Sequence, residues 1–422
     1  MHVRIDRLRD HVEAIAGFTS TPGQGSTRPS YSAEFRKAQD YMEAKARALG
    51  LEVRTDAIGN QRIRLAGPNA HAPAVMIGSH LDTVVNGGDF DGVLGVVCGL
   101  EVLQVLVEAG QVPARPIEVV SFVEEEGISF RCPLLGSKAV TGQLSEQDLS
   151  GLRTDDSRSF LDCARAYGLE PLRLHDELIR PTDVHAMLEL HIEQGGVLEA
   201  EGLAVGIVHT IAGSENYRVR VYGCANHAGT TPMRLRRDAL AAACEMVLAA
   251  EAVACSEPNA DTVATVGSIR CAPNAANVIP GAVEFSIDIR ELTSDRIAGA
   301  ASNIIARLRE IASRRQVQVE IELTAKSDPQ ALAPEIGDRI ERAAAALGVA
   351  YRKMHSGALH DAAMIGRIAD VGMIFVPSRN GISHSPEEWT DYSDIESGAN
   401  VLLQVATELS GAERSHAGKG QP

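Results

Sequence analysis

The apolar positions along the chain fall into runs of two periods. Residues 3–17 and 32–49 repeat them at helical spacing and predict amphipathic helices, with the Gly/Pro/Ser/Thr-rich residues 19–31 as the loop between. Residues 51–65 alternate enough for two strands, turned at Gly59-Asn60. Ala74-Val75-Met76-Ile77 is a short continuous apolar run, which predicts a buried strand, and residues 93–109 follow as an apolar helix. Two more buried strands are expected at 117–123, ending in Glu124-Glu125-Glu126-Gly127, and at 184–190, ending in His191-Ile192-Glu193-Gln194-Gly195. The stretch between them, 145–180, is mixed and mostly helical in pattern.

The pattern then changes. A strand at 217–222, an alanine-rich helix at 235–254, strands at 262–269 and 283–289, a helix at 295–314 and a strand at 317–323 give the order βαββαβ, a ferredoxin-like split unit. Afterwards the first pattern resumes, with a helix at 335–347, a loop at 355–360, a strand at 372–376 and a closing helix at 395–409. Residues 411–422 are polar and expected to fray. The expected fold is therefore an α/β domain made of residues 1–209 and 330–422, with an inserted α+β domain at 210–329.

Composition narrows the function. At 422 residues the chain calls for two domains, and 45% hydrophobic residues suffice for sizeable cores. A formal net charge of −16 with no basic stripe argues against nucleic-acid and anionic-membrane partners. The seven cysteines are scattered with no CxxC spacing, so neither a zinc ribbon nor a disulfide framework is indicated. No apolar signal region opens the sequence and no apolar run is long enough to span a bilayer, which sets the expectation of a cytoplasmic protein.

The chemistry gathers at strand ends, where open α/β sheets place ligand sites. His80 in Gly78-Ser79-His80-Leu81-Asp82-Thr83 is a nitrogen ligand, and Asp91 in Gly88-Asp89-Phe90-Asp91-Gly92 is an oxygen ligand able to bridge two metals. Asp82 is placed to hold the His80 ring by its other nitrogen, as a carboxylate behind a metal ligand does. Glu125-Glu126, His191 and Ser383-His384-Ser385 present further metal-type side chains. Adjacent glutamates allow a division of labour in which one ligates and its neighbour takes a proton from water. Glu193 reads as a solvated acid and Glu124 as strand-end structure.

These motifs, with Asn226-His227-Ala228-Gly229-Thr230-Thr231-Pro232-Met233, resemble the M20 metallopeptidase family in family order along nearly the whole chain. The likeness is to its amidase branch of N-carbamoyl-L-amino-acid hydrolases, allantoate amidohydrolases and β-ureidopropionases. The resemblance implies two divalent ions per subunit. His80 and His191 would complete one with bridging Asp91, and Glu126 and His384 the other. Zinc is the first expectation, with manganese, cobalt or nickel also admitted by mixed His/carboxylate ligation. It further implies Glu125 as general base, Asp82 as orienter of His80, and His227 as an oxyanion donor. Gln194, Asn277 and Arg290 would hold a small ureido or amide substrate bearing a carboxylate. The inserted domain would be a lid through which two chains form a homodimer, carrying His227 into the neighbour's site.

Each of these roles has a structural alternative. Arg290 in Asp288-Ile289-Arg290 also reads as a surface ion pair, Asn277 as a turn former, and His227 as a structural histidine. Two departures bear on the substrate. Ile128-Ser129-Phe130 stands where the branch commonly has Ser-Arg-Phe, and Ser214-Glu215-Asn216 where Gln-Arg or Ala-Arg is common. The expected reaction is hydrolysis of a linear C–N amide. An aminoacylase or dipeptidase on the same fold, and a metal-binding dimer without catalysis, are the alternatives.

Overall fold

A computed structural model describes residues 1–256 and 261–414. The chain divides into two compact units, one of residues 1–209, 331–354 and 360–422, the other of residues 210–330 and 355–359.

The larger unit is built on a mixed sheet. Across it the strands run Glu52–Thr55, Gln61–Leu65, Ile117–Phe122, Ala74–His80, Val184–Ile192, Asp370–Val376 and Val205–Ile211. The four strands from Ile117–Phe122 to Asp370–Val376 are mutually parallel. Ala74–His80 and Ile117–Phe122 are buried at every residue, which explains why they read as unbroken apolar runs: both faces are covered. The helix Val93–Glu108 is buried almost all round, from Val93 to Leu106, and packs with the helices Ile5–Ala16 and Tyr392–Ser410. Parallel register brings the strand ends to one edge: His80 stands opposite Phe122, and Phe375 opposite His191.

The smaller unit carries an antiparallel sheet in the order Val263–Thr265, Ala282–Glu291, Gly213–Tyr222, Gln318–Ser327. Numbered within the unit this is 2-3-1-4, the arrangement a βαββαβ unit adopts when both helices lie on one face. Val219, Val221, Phe285, Ile287 and Ile289 form that face's core with Ala242 and Met246 of the helix Ala239–Ala254 and with Ile304 and Leu308 of the helix Ser294–Arg315. The opposite face is charged, with Arg220–Glu284 at 2.8 Å and Arg218–Glu322 at 3.2 Å between neighbouring strands.

Several boundaries differ from expectation for local reasons. The helix expected from 235 starts at Ala239, because Asp238 caps it by accepting from the Leu240 and Ala241 amides. The strand expected at 262–269 is two, Val263–Thr265 and Ile269–Ala272, both paired with Ala282–Glu291. The strands Val205–Ile211 and Tyr351–Ser356 were not anticipated. Within the expected frayed tail, Glu413–Arg414 pairs with Gln111–Val112; residues 415–422 lie outside the described residues. Among the described residues no helix is long and apolar enough to cross a membrane.

Candidate active site

The parallel edge of the larger unit assembles the predicted ligands. His80 is the last residue of its strand, His191 the penultimate of its own, Glu125 and Glu126 follow Phe122 by three and four residues, and His384 lies in the loop after Val376. Asp91 sits at the start of the buried helix Val93–Glu108, whose positive N-terminal end favours a carboxylate there. Gly92 makes the approach possible. At φ +67° it adopts a left-handed conformation, and a Cβ on it would lie 2.3 Å from the Nε2 of His80.

Asp91 is the centre. Its Oδ1 lies 3.2 Å from His191 Nε2 and 3.7 Å from His80 Nε2, while its Oδ2 lies 3.1 Å from His384 Nε2. His384 is half-exposed, and its Nε2 is 3.6 Å from Glu126 Oε2. Two groups of ligand-type atoms each converge within 4.8 Å, His80–Asp91–His191 and Asp91–Glu126–His384, with Asp91 common to both. Glu125 Oε2 is 3.7 Å from His80 Nε2. A third buried group, Glu189, His191 and His360, shares His191 with the first. Its Glu189 oxygens are already engaged, by the Ser79 hydroxyl at 2.8 Å and the Ala362 amide at 3.0 Å.

The donor set fits divalent metal ions. His80 Nδ1 is 2.9 Å from the Asp82 carbonyl and His191 Nδ1 is 2.9 Å from the Ile192 carbonyl. A carbonyl only accepts, so each ring carries a hydrogen on Nδ1, and in its neutral, ligating form turns the Nε2 lone pair toward Asp91. Lone pairs facing carboxylate oxygens call for positive charge between them. Glu126 Oε1 is buried with no hydrogen-bond partner. Burial, reinforced by neighbouring carboxylates, pushes the Glu125 and Glu126 carboxyls well above the usual range. Burial lowers the His80 ring to about 4, against the pull of Asp91. At His191 burial is outweighed by Asp91, and the ring rises to about 9. At Asp91 itself burial is outweighed by the His191 and His384 donors, which hold it well below the carboxylate range. Such concentrated opposing shifts mark functional sites.

Two expectations need correction. The Asp82 carboxylate does not hold the His80 ring; its backbone carbonyl does. The carboxylate accepts from the Glu126 amide at 3.2 Å, its other oxygen is buried without a partner, and burial raises it to about 6. Glu193 is not a solvated acid. It is buried, and its two oxygens cap the helix Val197–Glu201 through the Val197 and Leu198 amides at 2.8 and 2.9 Å. Gln194, at φ +57°, donates to Asp91 Oδ2 at 2.8 Å and keeps its Oε1 buried and unpaired. Ile128, Ser129 and Phe130 help line a separate cavity of about 550 Å³ with Tyr31, Cys163 and Tyr167.

In the smaller unit Asn277 and His227 come together: the Ala228 amide donates to the Asn277 carbonyl at 3.0 Å, and Asn226–His227 pairs with Val278–Ile279. His227 Nδ1 accepts from the Gly229 and Thr230 amides at 3.0 and 3.2 Å, which leaves the ring hydrogen on Nε2 as an outward donor. Arg290 grips Asp288 through Nε at 2.9 Å and Nη2 at 3.3 Å, and donates through Nη1 to the Gly357 carbonyl at 2.7 Å. Three of its five N–H donors are thus used, and one remains on each terminal nitrogen. Glu215, one of the departures, is a buried ion-pair partner of Lys326 at 3.0 Å.

Sequence reasoning missed Arg28, a fully buried arginine. It donates to the Leu81 carbonyl at 2.6 Å and to the Ile15 and Phe18 carbonyls at 3.0 Å, holding the turn between His80 and Asp82. Burial lowers its guanidinium to about 10. Nothing local in the sequence marks it, because its partners are backbone atoms of other segments.

Residues 76–408 match the profile of peptidase family M20/M25/M40. The chain belongs to this family. An N-carbamoyl-L-amino-acid amidohydrolase of Paenarthrobacter aurescens is 40% identical to this M20 chain over 404 residues, covering 96% of it and 98% of the relative. An allantoate amidohydrolase of Bacillus subtilis is 36% identical over 403 residues, covering 95% and 97%. The crystal structure of a hydantoinase/carbamoylase family amidase from Burkholderia multivorans superposes with a TM-score of 0.91 at 33% identity, covering 97% and 98%.

Proposed function

We propose that this M20 chain hydrolyses the linear C–N amide of a ureido group, on an N-carbamoyl-L-amino acid or an allantoate-like substrate. The observation that carries the reading is Asp91 presenting one oxygen to each of two ligand groups, with Glu125 beside the first. The near full-length likeness to amidohydrolases of these two names supports the substrate class.

In this reading His80, Asp91 and His191 hold one divalent ion, and Asp91, Glu126 and His384 the second, with zinc proposed and manganese, cobalt or nickel compatible with the ligands. Bound there, the ions would supply Lewis acidity, polarising the substrate carbonyl and easing removal of a proton from the attacking water. Glu125, which touches His80 but stands outside both groups, takes the proton of the attacking water and returns it to the leaving nitrogen. His227 donates its Nε2 hydrogen to the oxygen that gains negative charge. Arg290 offers its two remaining hydrogens to the substrate carboxylate, Asn277 contributes polar contacts, and Gln194 turns from Asp91 toward the substrate. Residues 1–209 and 330–422 act as the catalytic domain. Residues 210–329 act as lid and dimer contact, with His227 serving the neighbour's site.

The deciding experiment is turnover of a paired panel, N-carbamoyl against N-acetyl amino acids and dipeptides, by zinc- and manganese-reconstituted protein. Preference for the ureido compounds is expected; preference for acyl compounds would make the chain an aminoacylase or dipeptidase, and no turnover on any amide would leave a binding protein. Remixing separately inactive His227→Ala and Glu125→Gln chains tests the trans arrangement: about a quarter of full activity should return if His227 crosses to the partner, and none if it does not.

A further inference from the structure

Asp91 can present its two oxygens in different directions only if the loop that carries it is held. That loop, Gly87-Gly88-Asp89-Phe90-Asp91-Gly92, contains three glycines and is intrinsically soft. It is held by Glu388, almost three hundred residues later. Glu388 is 4% exposed, and its Oε1 accepts from two successive amides, Phe90 at 3.0 Å and Asp91 at 3.1 Å. Its Oε2 is 3.1 Å from the hydroxyl of Ser383, the residue before His384, and that hydroxyl also lies 3.2 Å from Asp91 Oδ2. The next residue, Trp389, packs edge-on against the Phe90 ring with centroids 5.5 Å apart. Gly88 makes the room: a Cβ there would lie 2.1 Å from Glu388 Oε1 and 2.4 Å from its Cβ.

We propose that Glu388 is a positioning residue that fixes the spacing between the Asp91 loop and the His384 loop, and so sets the affinity of the site for its metal ions. One carboxylate fixes two peptide planes of the first loop and, through Ser383, the backbone that carries His384. Its role is placement, so what matters is an oxygen at that point rather than a charge. The inference rests on the ligand assignment proposed above.

The test is zinc binding to metal-stripped, full-length protein, read as stoichiometry and as affinity in competition with a chromophoric chelator, with circular dichroism as the check on folding. Glu388→Gln keeps an oxygen for both amides and should bind within about threefold of wild type, whereas Glu388→Ala should weaken at least one ion by about tenfold or more, the usual scale for residues behind metal ligands. Ser383→Ala, which removes only one arm, should weaken zinc by a smaller factor and covers the case in which Glu388→Ala does not fold. Wild-type affinity in a folded Glu388→Ala, or Gln as damaging as Ala, overturns the proposal; so does unchanged affinity in Ser383→Ala when Glu388→Ala cannot be made. Asp91→Asn separates the two readings. If it loses zinc while Glu388→Ala does not, only the positioning role fails; if it keeps both ions, the ligand assignment itself fails.

Discussion

His80 leans on Asp82 through the backbone: ring Nδ1 to carbonyl oxygen, 2.9 Å. The Asp82 carboxylate is turned instead to the Glu126 amide. Asp82→Asn should therefore leave the His80 ring in place and keep the metal content of wild type, since the carbonyl survives and the amide oxygen still accepts from Glu126. Asp82→Ala should cost about 1–3 kcal/mol of stability, by leaving the partly buried Glu126 amide without its carboxylate acceptor. Elemental analysis and urea denaturation of both variants check this. Loss of zinc from Asp82→Asn would mean that the carboxylate holds the ring after all.

Glu125 and Glu126 are neighbours with opposite assignments. Glu125→Gln removes a proton acceptor and no ligand, so metal content should stay and kcat fall by roughly 10²–10⁴-fold. Glu126→Gln should shed one ion. Elemental analysis beside steady-state kinetics distinguishes them, and a metal-depleted Glu125→Gln would show the two roles reversed.

Arg290 has two hydrogens to spare after binding Asp288 and Gly357. Lysine cannot satisfy those partners and a substrate carboxylate from one compact ammonium. Arg290→Lys should lower kcat/KM roughly ten- to a hundredfold, the equivalent of a lost charge-assisted pair of about 1.5–3 kcal/mol. The carboxamide of the best substrate should be poor for wild type and relatively indifferent to the substitution. Equal turnover of acid and carboxamide by wild type would remove Arg290 from carboxylate binding.

His11 predicts an acid sensitivity remote from the metal site. Its ring is buried, with Nδ1 2.7 Å from the Tyr41 hydroxyl and Nε2 unpartnered. Burial, aided by Lys45, lowers it to about 4. An unfolded histidine titrates near 6.5, so between about 6.5 and about 4 the unfolded chain binds the extra proton. The contribution of the neutral ring is complete above that window and is lost as pH falls through it. The denaturation midpoint should fall further between pH 7.5 and pH 5 in wild type than in His11→Gln, whose side chain does not titrate. Equal losses in both would assign the acid sensitivity elsewhere.

The local sequence carried the strand ends well, because a buried parallel strand announces itself as an unbroken apolar run and its last residues then land at one edge. That logic placed His80, His191 and the Glu125-Glu126 pair without any tertiary information. It failed where the partner was backbone or far away in the chain. Asp82 looked like a carboxylate behind a ligand, yet its carbonyl makes the contact. Glu193 looked exposed because the short helix it caps gave no periodic signal. Arg28 and Glu388 are polar residues in polar segments, and only packing across the chain buries them. Val205–Ile211 was lost for another reason: the boundary of the inserted domain was expected there, and a seven-residue strand next to a boundary reads as linker.

Gly92 has a consequence for redesign of the protein. The ring of His80 occupies the volume that a side chain at position 92 would need, so even a methyl group there competes with an imidazole for the same space. Variation of that loop will mostly return chains with a displaced ligand, whatever the merit of their other substitutions. The wall of the 550 Å³ cavity is different at Ile128, which is exposed, so variation at that position can change shape and polarity without moving the histidine.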